Sequence, residues 1–179
     1  PFFVEEIIRS LTETGILVGS KGAYKPGIAV DSIRIPSTVR TVLADRVDRL
    51  PAAEKQLLQT AAVIGVVVPL RLLEEVTRSP ADELHRHLVD LQASEFLYER
   101  NLFPKVEYSF THALINEVVY GALLHEHRTA LHASIMDALE RIAGDDRHGH
   151  IEALAHHAFH GELWMKAVAY LQGAGAKAT

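Results

Sequence analysis

The chain has 179 residues, 48% of them hydrophobic and 23% charged, with a formal charge of −5 and no cysteine. That length and apolar content suit one medium or two small globular domains with a real core, so disorder is not the default. The acidic balance gives no electrostatic footprint for nucleic acid, disulfides and thiolate zinc sites are removed, and no apolar run approaches the roughly 20 residues of a membrane span.

Phe3, Val4, Ile7, Ile8 and Leu11 recur at i, i+3 and i+4, which predicts a helix over 2–14 with Gly15 suited to its C-terminal cap. Residues 16–18 and 23–25 flank the turn Gly19-Ser20-Lys21-Gly22 as a short hairpin. Pro36, Ser37 and Thr38 open a second helix with the stripe Val39, Leu43, Val47, Leu50. Pro51 restarts a third over 52–64, facing Leu57, Leu58, Ala61 and Ala62 inward. A short helix over 70–76 comes next. Ser79 as cap, Pro80 at the first helical position and Asp82 in the first turn start another, which buries Leu84, Leu88 and Leu91.

Residues 96–100 and 106–110 read as two antiparallel strands joined through Asn101-Leu102-Phe103-Pro104. Three helices followed by a two-stranded wing is the order of a winged helix, a variant of helix-turn-helix. Helices over 113–124 and 126–143 follow, the second with Leu131, Ile135, Ala138, Leu139 and Ile142 on its core face. Two more, over 151–160 and 164–177, carry Ala155, Ala158, Trp164, Ala167, Tyr170 and Leu171 at spacings suited to a packed, tetratricopeptide-like hairpin. The expected fold is therefore mainly α. It divides into a helical end with a small β-hairpin (1–36), a winged helix (37–125), and a linker helix with the first repeat-like helices (126–179).

The strand-to-helix junction Tyr108-Ser109-Phe110-Thr111-His112 is chemically the most suggestive segment. With Thr111 as cap, His112 falls in the first turn, where unpaired backbone N–H groups and the helix dipole favour an anion such as phosphate. The chain carries no Gly-x4-Gly-Lys-Ser/Thr loop, no Gly-x-Ser-x-Gly elbow and no His-Glu-x-x-His helix; His125-Glu126-His127 lacks the second histidine at i+4. By itself, then, the segment is not expected to hydrolyse a nucleotide.

Eleven histidines raise a metal question. Glu152, His156 and His160 lie at successive turns, with His157 adjacent and His148 and His150 nearby. Three residues along one helix face do not converge on a point, so a ligand would have to come from another element. The reading taken is packing and surface histidines, with no metal. Direct DNA contact is disfavoured because the would-be recognition helix sets Asp82, Glu83 and Asp90 against Arg86, and the wing offers Arg100 and Lys105 beside Glu99 and Glu107.

Taken together, several segments resemble STAND-type signal-transduction ATPases, relatives of the AAA ATPases. Pro1-Phe2-Phe3-Val4-Glu5-Glu6 is similar to the end of that family's Gly-Asn-Pro-Phe-Phe-Val-Glu-Glu lid motif. Ile35-Pro36-Ser37-Thr38-Val39, Arg46-Val47-Asp48-Arg49-Leu50-Pro51, the run 57–65, Phe110-Thr111-His112-Ala113-Leu114 and Leu154-Ala155-His156-His157-Ala158 follow in the family's order. The resemblance covers essentially the whole chain. It implies a piece of a larger protein, beginning in the helical lid and ending in the first tetratricopeptide-like repeat, with the P-loop domain and its Walker motifs outside the chain. Pro1 would be the lid proline near adenine. His112 would be the winged-helix histidine that approaches the β-phosphate of ADP and holds the closed, inactive state; Thr111 and Ala113 stand where the family has methionine and aspartate, so the aspartate's helix-start acceptor is lost.

The implied cofactor is ATP/ADP, with magnesium supplied through the P-loop domain. The implied partners are that domain and a protein or small-molecule effector on the repeats, with no nucleic acid and no membrane, in the cytoplasm. An adenylate or guanylate cyclase, or a LuxR-type DNA-binding domain, would be the attached output. The alternatives are a non-catalytic interaction scaffold and a DNA-binding transcriptional regulator.

Overall fold

The computed structural model describes residues 2–13, 15–19, 23–26, 39–101, 105–144 and 148–177. The chain is mainly α and forms two compact units, Pro1–Pro51 and Ala52–Thr179.

In the first unit, α1 (Phe2–Glu13) packs on α2 (Val39–Asp48), and β1 (Leu17–Val18) pairs antiparallel with β2 (Lys25–Pro26), with Leu17 opposite Pro26. Gly15 ends α1 at φ 71, a left-handed conformation that costs glycine nothing, and its N–H donates to the Thr12 carbonyl at 3.0 Å. Val42, Leu43 and Val47 form the buried stripe of α2, and Arg46 is buried with them. Its guanidinium meets the Glu13 carboxylate at 3.5 Å, so the buried charge is matched. The expected stripe included Val39 and Leu50, which are half-buried. Contacts group α2 with α1, so the first unit extends past the boundary expected at 36/37.

The second unit begins with α3 (Ala52–Ile64), which buries Leu57, Leu58, Ala61, Ala62 and Val63. Then come β3 (Val67–Pro69), α4 (Leu70–Thr77), α5 (Ala81–Ala93), β4 (Leu97–Asn101) and β5 (Glu107–Phe110). The wing is three-stranded, in the order β3-β5-β4, where two strands were expected. Val67 pairs with Ser109 and Val68 with Tyr108, while Leu97 pairs with Phe110 on the other side of β5. Pro69 is tolerated because β3 is an edge strand, and the next amide, that of Leu70, donates to the Val106 carbonyl at 3.0 Å. The run through residue 68 is continuous in apolar character, which hides a strand whose partner lies far along the chain.

The start of α5 also departs from expectation. Pro80 occupies the cap position and no side chain caps the helix, so Ser79 stands outside it. The inward stripe Leu84, Leu88 and Leu91 is fully buried.

After β5 come α6 (Ala113–Gly121), α7 (His125–Ala143), a 3-10 turn at His148–His150, α8 (Ile151–His160) and α9 (Trp164–Lys177). The long α7 packs on α3, α4 and α8, and α8 packs on α9. A hydrophobic cluster joins them: Val63 and Leu72 from the winged part meet Ile135, Met136 and Leu139 of α7 and Leu154, Ala158 and Ala167 of the hairpin. Residues 126–143 thus belong to one body with the winged helix. Gly161 makes the α8–α9 turn possible at close quarters, since a Cβ there would lie 2.9 Å from both the Ala133 amide nitrogen and the His157 carbonyl oxygen. Trp164 and Leu171, expected in the hairpin core, are 57% and 52% exposed.

Candidate functional site

His112 stands at the end of the central strand of the wing. The Thr111 amide donates to the Phe96 carbonyl at 3.1 Å, extending the β4–β5 ladder by one bond. His112 then adopts an extended backbone (φ −141, ψ 139) as the N-cap residue of α6. The helix therefore begins one residue later than a Thr111 cap would give. The imidazole makes no capping bond and is exposed. Burial of Ile115 and Val119, and a bond from Asn116 Nδ2 to the Ala62 carbonyl at 3.2 Å, fix α6 against α3. The result is a fixed helix start with an exposed histidine beside its first-turn amides, an arrangement that favours an anion. Pro1, the other residue implied in nucleotide contact, lies outside the described residues.

A second group of side chains converges where α7 meets α8. His132 comes from α7; His156, His157 and His160 come from α8. His132 and His157 are buried, while His156 and His160 reach the surface. The Nδ1 atoms of His132 and His157 face one another at 2.9 Å, and the other ring nitrogen of His132 lies 3.1 Å from the Tyr120 hydroxyl. The His160 ring stacks on His132 at 5.0 Å and lies 4.5 Å from that of His156. Ligand nitrogens of His132, His156 and His157 all fall within 4.8 Å of one another.

Burial, helped by the neighbouring rings of His160 and His156 and by Arg128, pushes His132 down to about 4. Burial and the rings of His132, His156 and His160 push His157 down to about 3. His156 is lowered as well, by burial and by His160. At neutral pH the buried pair is therefore uncharged, with a single proton between the two facing nitrogens. The sequence indicated that histidines on α8 would need a ligand from another element; His132 is in that position. Nothing in its local sequence pattern marks it, because its partners lie beyond the loop after α7.

A third group joins α3 to α5. The buried Glu54 carboxylate accepts from His87 Nδ1 at 2.9 Å, with Asp90 nearby on the exposed side. No helix among the described residues is long and apolar enough to cross a membrane.

No family model matches the chain. The chain is 27% identical over 184 aligned positions to an uncharacterized protein of Rhizobium meliloti (strain 1021). That match covers 98% of this chain and 16% of the relative, so the chain spans about a sixth of the protein it resembles.

Proposed function

We propose that this chain is the regulatory segment of a multidomain STAND/AAA-type signalling ATPase. In this reading it couples the nucleotide held by a P-loop domain elsewhere in the polypeptide to an output domain such as a nucleotide cyclase. The observation that carries the reading is His112, an exposed imidazole at the N-cap of α6, at the end of a strand paired on both sides. His112 would meet the β-phosphate of ADP beside the first-turn amides of α6, and Pro1 would border the adenine. The P-loop domain would hold Mg-nucleotide and supply the phosphoryl chemistry. This segment would contribute the latch: closed with ADP, released on exchange for ATP, in the cytoplasm.

The great length of the relative, of which this chain covers 16%, agrees with a segment of a large multidomain protein. A DNA-reading role is disfavoured by the exposed face of α5, where Asp82, Glu83 and Asp90 surround Arg86. Effector binding is assigned to the helical hairpin. There Phe159, Trp164, Val168 and Leu171 are each at least half exposed, an apolar face suited to a further helix or a protein partner.

The test is His112→Ala in the full-length protein. ADP is expected to bind more weakly and basal output to rise; unchanged ADP affinity together with unchanged basal output would remove the latch role. The same apolar face of α9 favours, as a second reading, a protein-interaction scaffold that senses no nucleotide. Reading the upstream sequence separates the two: absence of a Gly-x4-Gly-Lys-Ser/Thr loop leaves the scaffold.

A further inference from the structure

We infer that His132, His156 and His157 form a binding site for a borderline divalent transition ion, zinc foremost, held between α7 and α8. The inference is independent of the nucleotide reading. Three imidazoles from two helices bring ligand nitrogens within 4.8 Å of one another, and two of them already face each other at 2.9 Å. A tetrahedral zinc site has Zn–N distances of about 2.0–2.1 Å, which places ligand nitrogens roughly 3.3 Å apart. The facing Nδ1 pair has to open by a few tenths of an ångström, and the exposed His156 ring, already 5.7 Å from that of His132 and 5.1 Å from that of His157, has to close in.

The donor set selects the metal. All three ligands are nitrogen and none is a carboxylate, which suits zinc, copper or nickel and excludes the oxygen-seeking calcium and magnesium. Burial keeps the His132 and His157 rings neutral, the form that donates a lone pair to a metal. In the metal-free protein one proton bridges the two Nδ1 atoms; on binding, the ion takes its place and that proton moves to the Nε2 of the ring that carried it, so both ligands stay neutral imidazoles with no net proton released. His132 then carries its one proton on Nε2 and donates it to the Tyr120 hydroxyl, 3.1 Å away. Such a contact from a ligating histidine to an outer partner fixes the ring and its tautomer. His156 and His160 lie exposed above the buried pair, giving the ion an entry path. The fourth position opens toward His160, whose ring is 4.5 Å from that of His156. An ion seated there ties α7, which packs on the winged part, to α8 of the helical hairpin.

The experiment is titration of the untagged 179-residue chain with Co2+, read by its visible ligand-field absorption, followed by displacement with Zn2+. His156→Gln changes an exposed ligand, and its far-UV circular dichroism and melting temperature in EDTA verify folding. His125→Gln combined with His127→Gln removes two exposed histidines outside the cluster. One equivalent of Co2+ is expected, displaced by Zn2+. Affinity should fall by more than about 100-fold in His156→Gln, beyond what loss of an outer-shell partner costs, and stay unchanged in the double variant. No Co2+ spectrum, binding that survives in His156→Gln, or binding lost in the double variant would each overturn the site.

Discussion

The Glu54 carboxylate and the His87 imidazole meet at 2.9 Å between the first turn of α3 and the middle of α5. Burial works to raise the Glu54 carboxyl, but its own backbone N–H, the bond from His87, and the charges of His87 and Arg86 outweigh it. The group lies below its ordinary value. A lowered carboxylate contributes stability above its unfolded pKa near 4.5, and that contribution is lost as pH falls through the lower folded value. Glu54→Gln should therefore cost about 1–3 kcal/mol at pH 7, the cost of weakening a buried charge-assisted bond. Urea unfolding of both proteins, repeated at decreasing pH below 4.5, should show the gap closing.

The facing histidines produce the opposite kind of group with the same sign of pH response. With a chelator present, His132 at about 4 and His157 at about 3 are basic groups held neutral by burial, surrounded by His156, His160, Arg128 and Tyr120. The unfolded chain, whose histidines titrate near 6.5, binds more protons than the folded one throughout the interval below that value. Stability is thus complete above pH 6.5 and declines on acidification toward pH 3, by up to about 1.4 kcal/mol per pH unit for each extra proton. Melting temperatures in EDTA should fall between pH 7 and about pH 5, and His157→Leu should flatten the fall.

Gly161 offers a purely steric prediction. Its φ is ordinary, so Gly161→Ala is allowed by the backbone, but the added methyl would meet backbone atoms of Ala133 and His157 at 2.9 Å. The C-terminus of α8 must then move off α7, at a cost of about 1–3 kcal/mol, typical of overpacking. Denaturant midpoints would check the loss. Because His132 and His157 sit on the two displaced helices, cobalt binding should weaken in the same variant.

The outer face of α9 should govern association. Trp164, Val168 and Leu171 recur at helical spacing and are all more than half exposed, with Phe159 edge-on to Trp164 at 5.7 Å. Replacing Val168 and Leu171 with glutamate should leave the melting temperature within a degree or two and reduce self-association in sedimentation experiments. A large drop in melting temperature would show instead that these side chains support the hairpin.

Much of the helical framework is legible in the sequence because periodicity reports burial directly. Leu57, Leu58, Leu84, Leu88, Leu91, Ile135 and Leu139 all lie where a 3.6-residue stripe puts them. Trp164 and Leu171 follow the same period and face solvent, since periodicity cannot say which apolar face finds a partner. The strand at Val67–Pro69 is hidden for a different reason: its pairing with β5 is non-local, and three residues in an apolar run carry no period of their own. The histidine cluster is half legible. His156, His157 and His160 are adjacent on one helix, but His132 joins them only through the packing of α7 on α8, which no local pattern encodes.

The third strand of the wing has a mechanical consequence. With β3 on one flank and β4 on the other, β5 is the interior strand, and Glu107, Tyr108 and Ser109 have ladder neighbours on both sides. Interior amides exchange with solvent only when a large part of the unit opens, whereas an edge strand frays residue by residue. The segment entering His112 therefore cannot serve as a local hinge. Any displacement of that imidazole has to be carried by the strand and α6 together, as motion of a body rather than slackening of a loop.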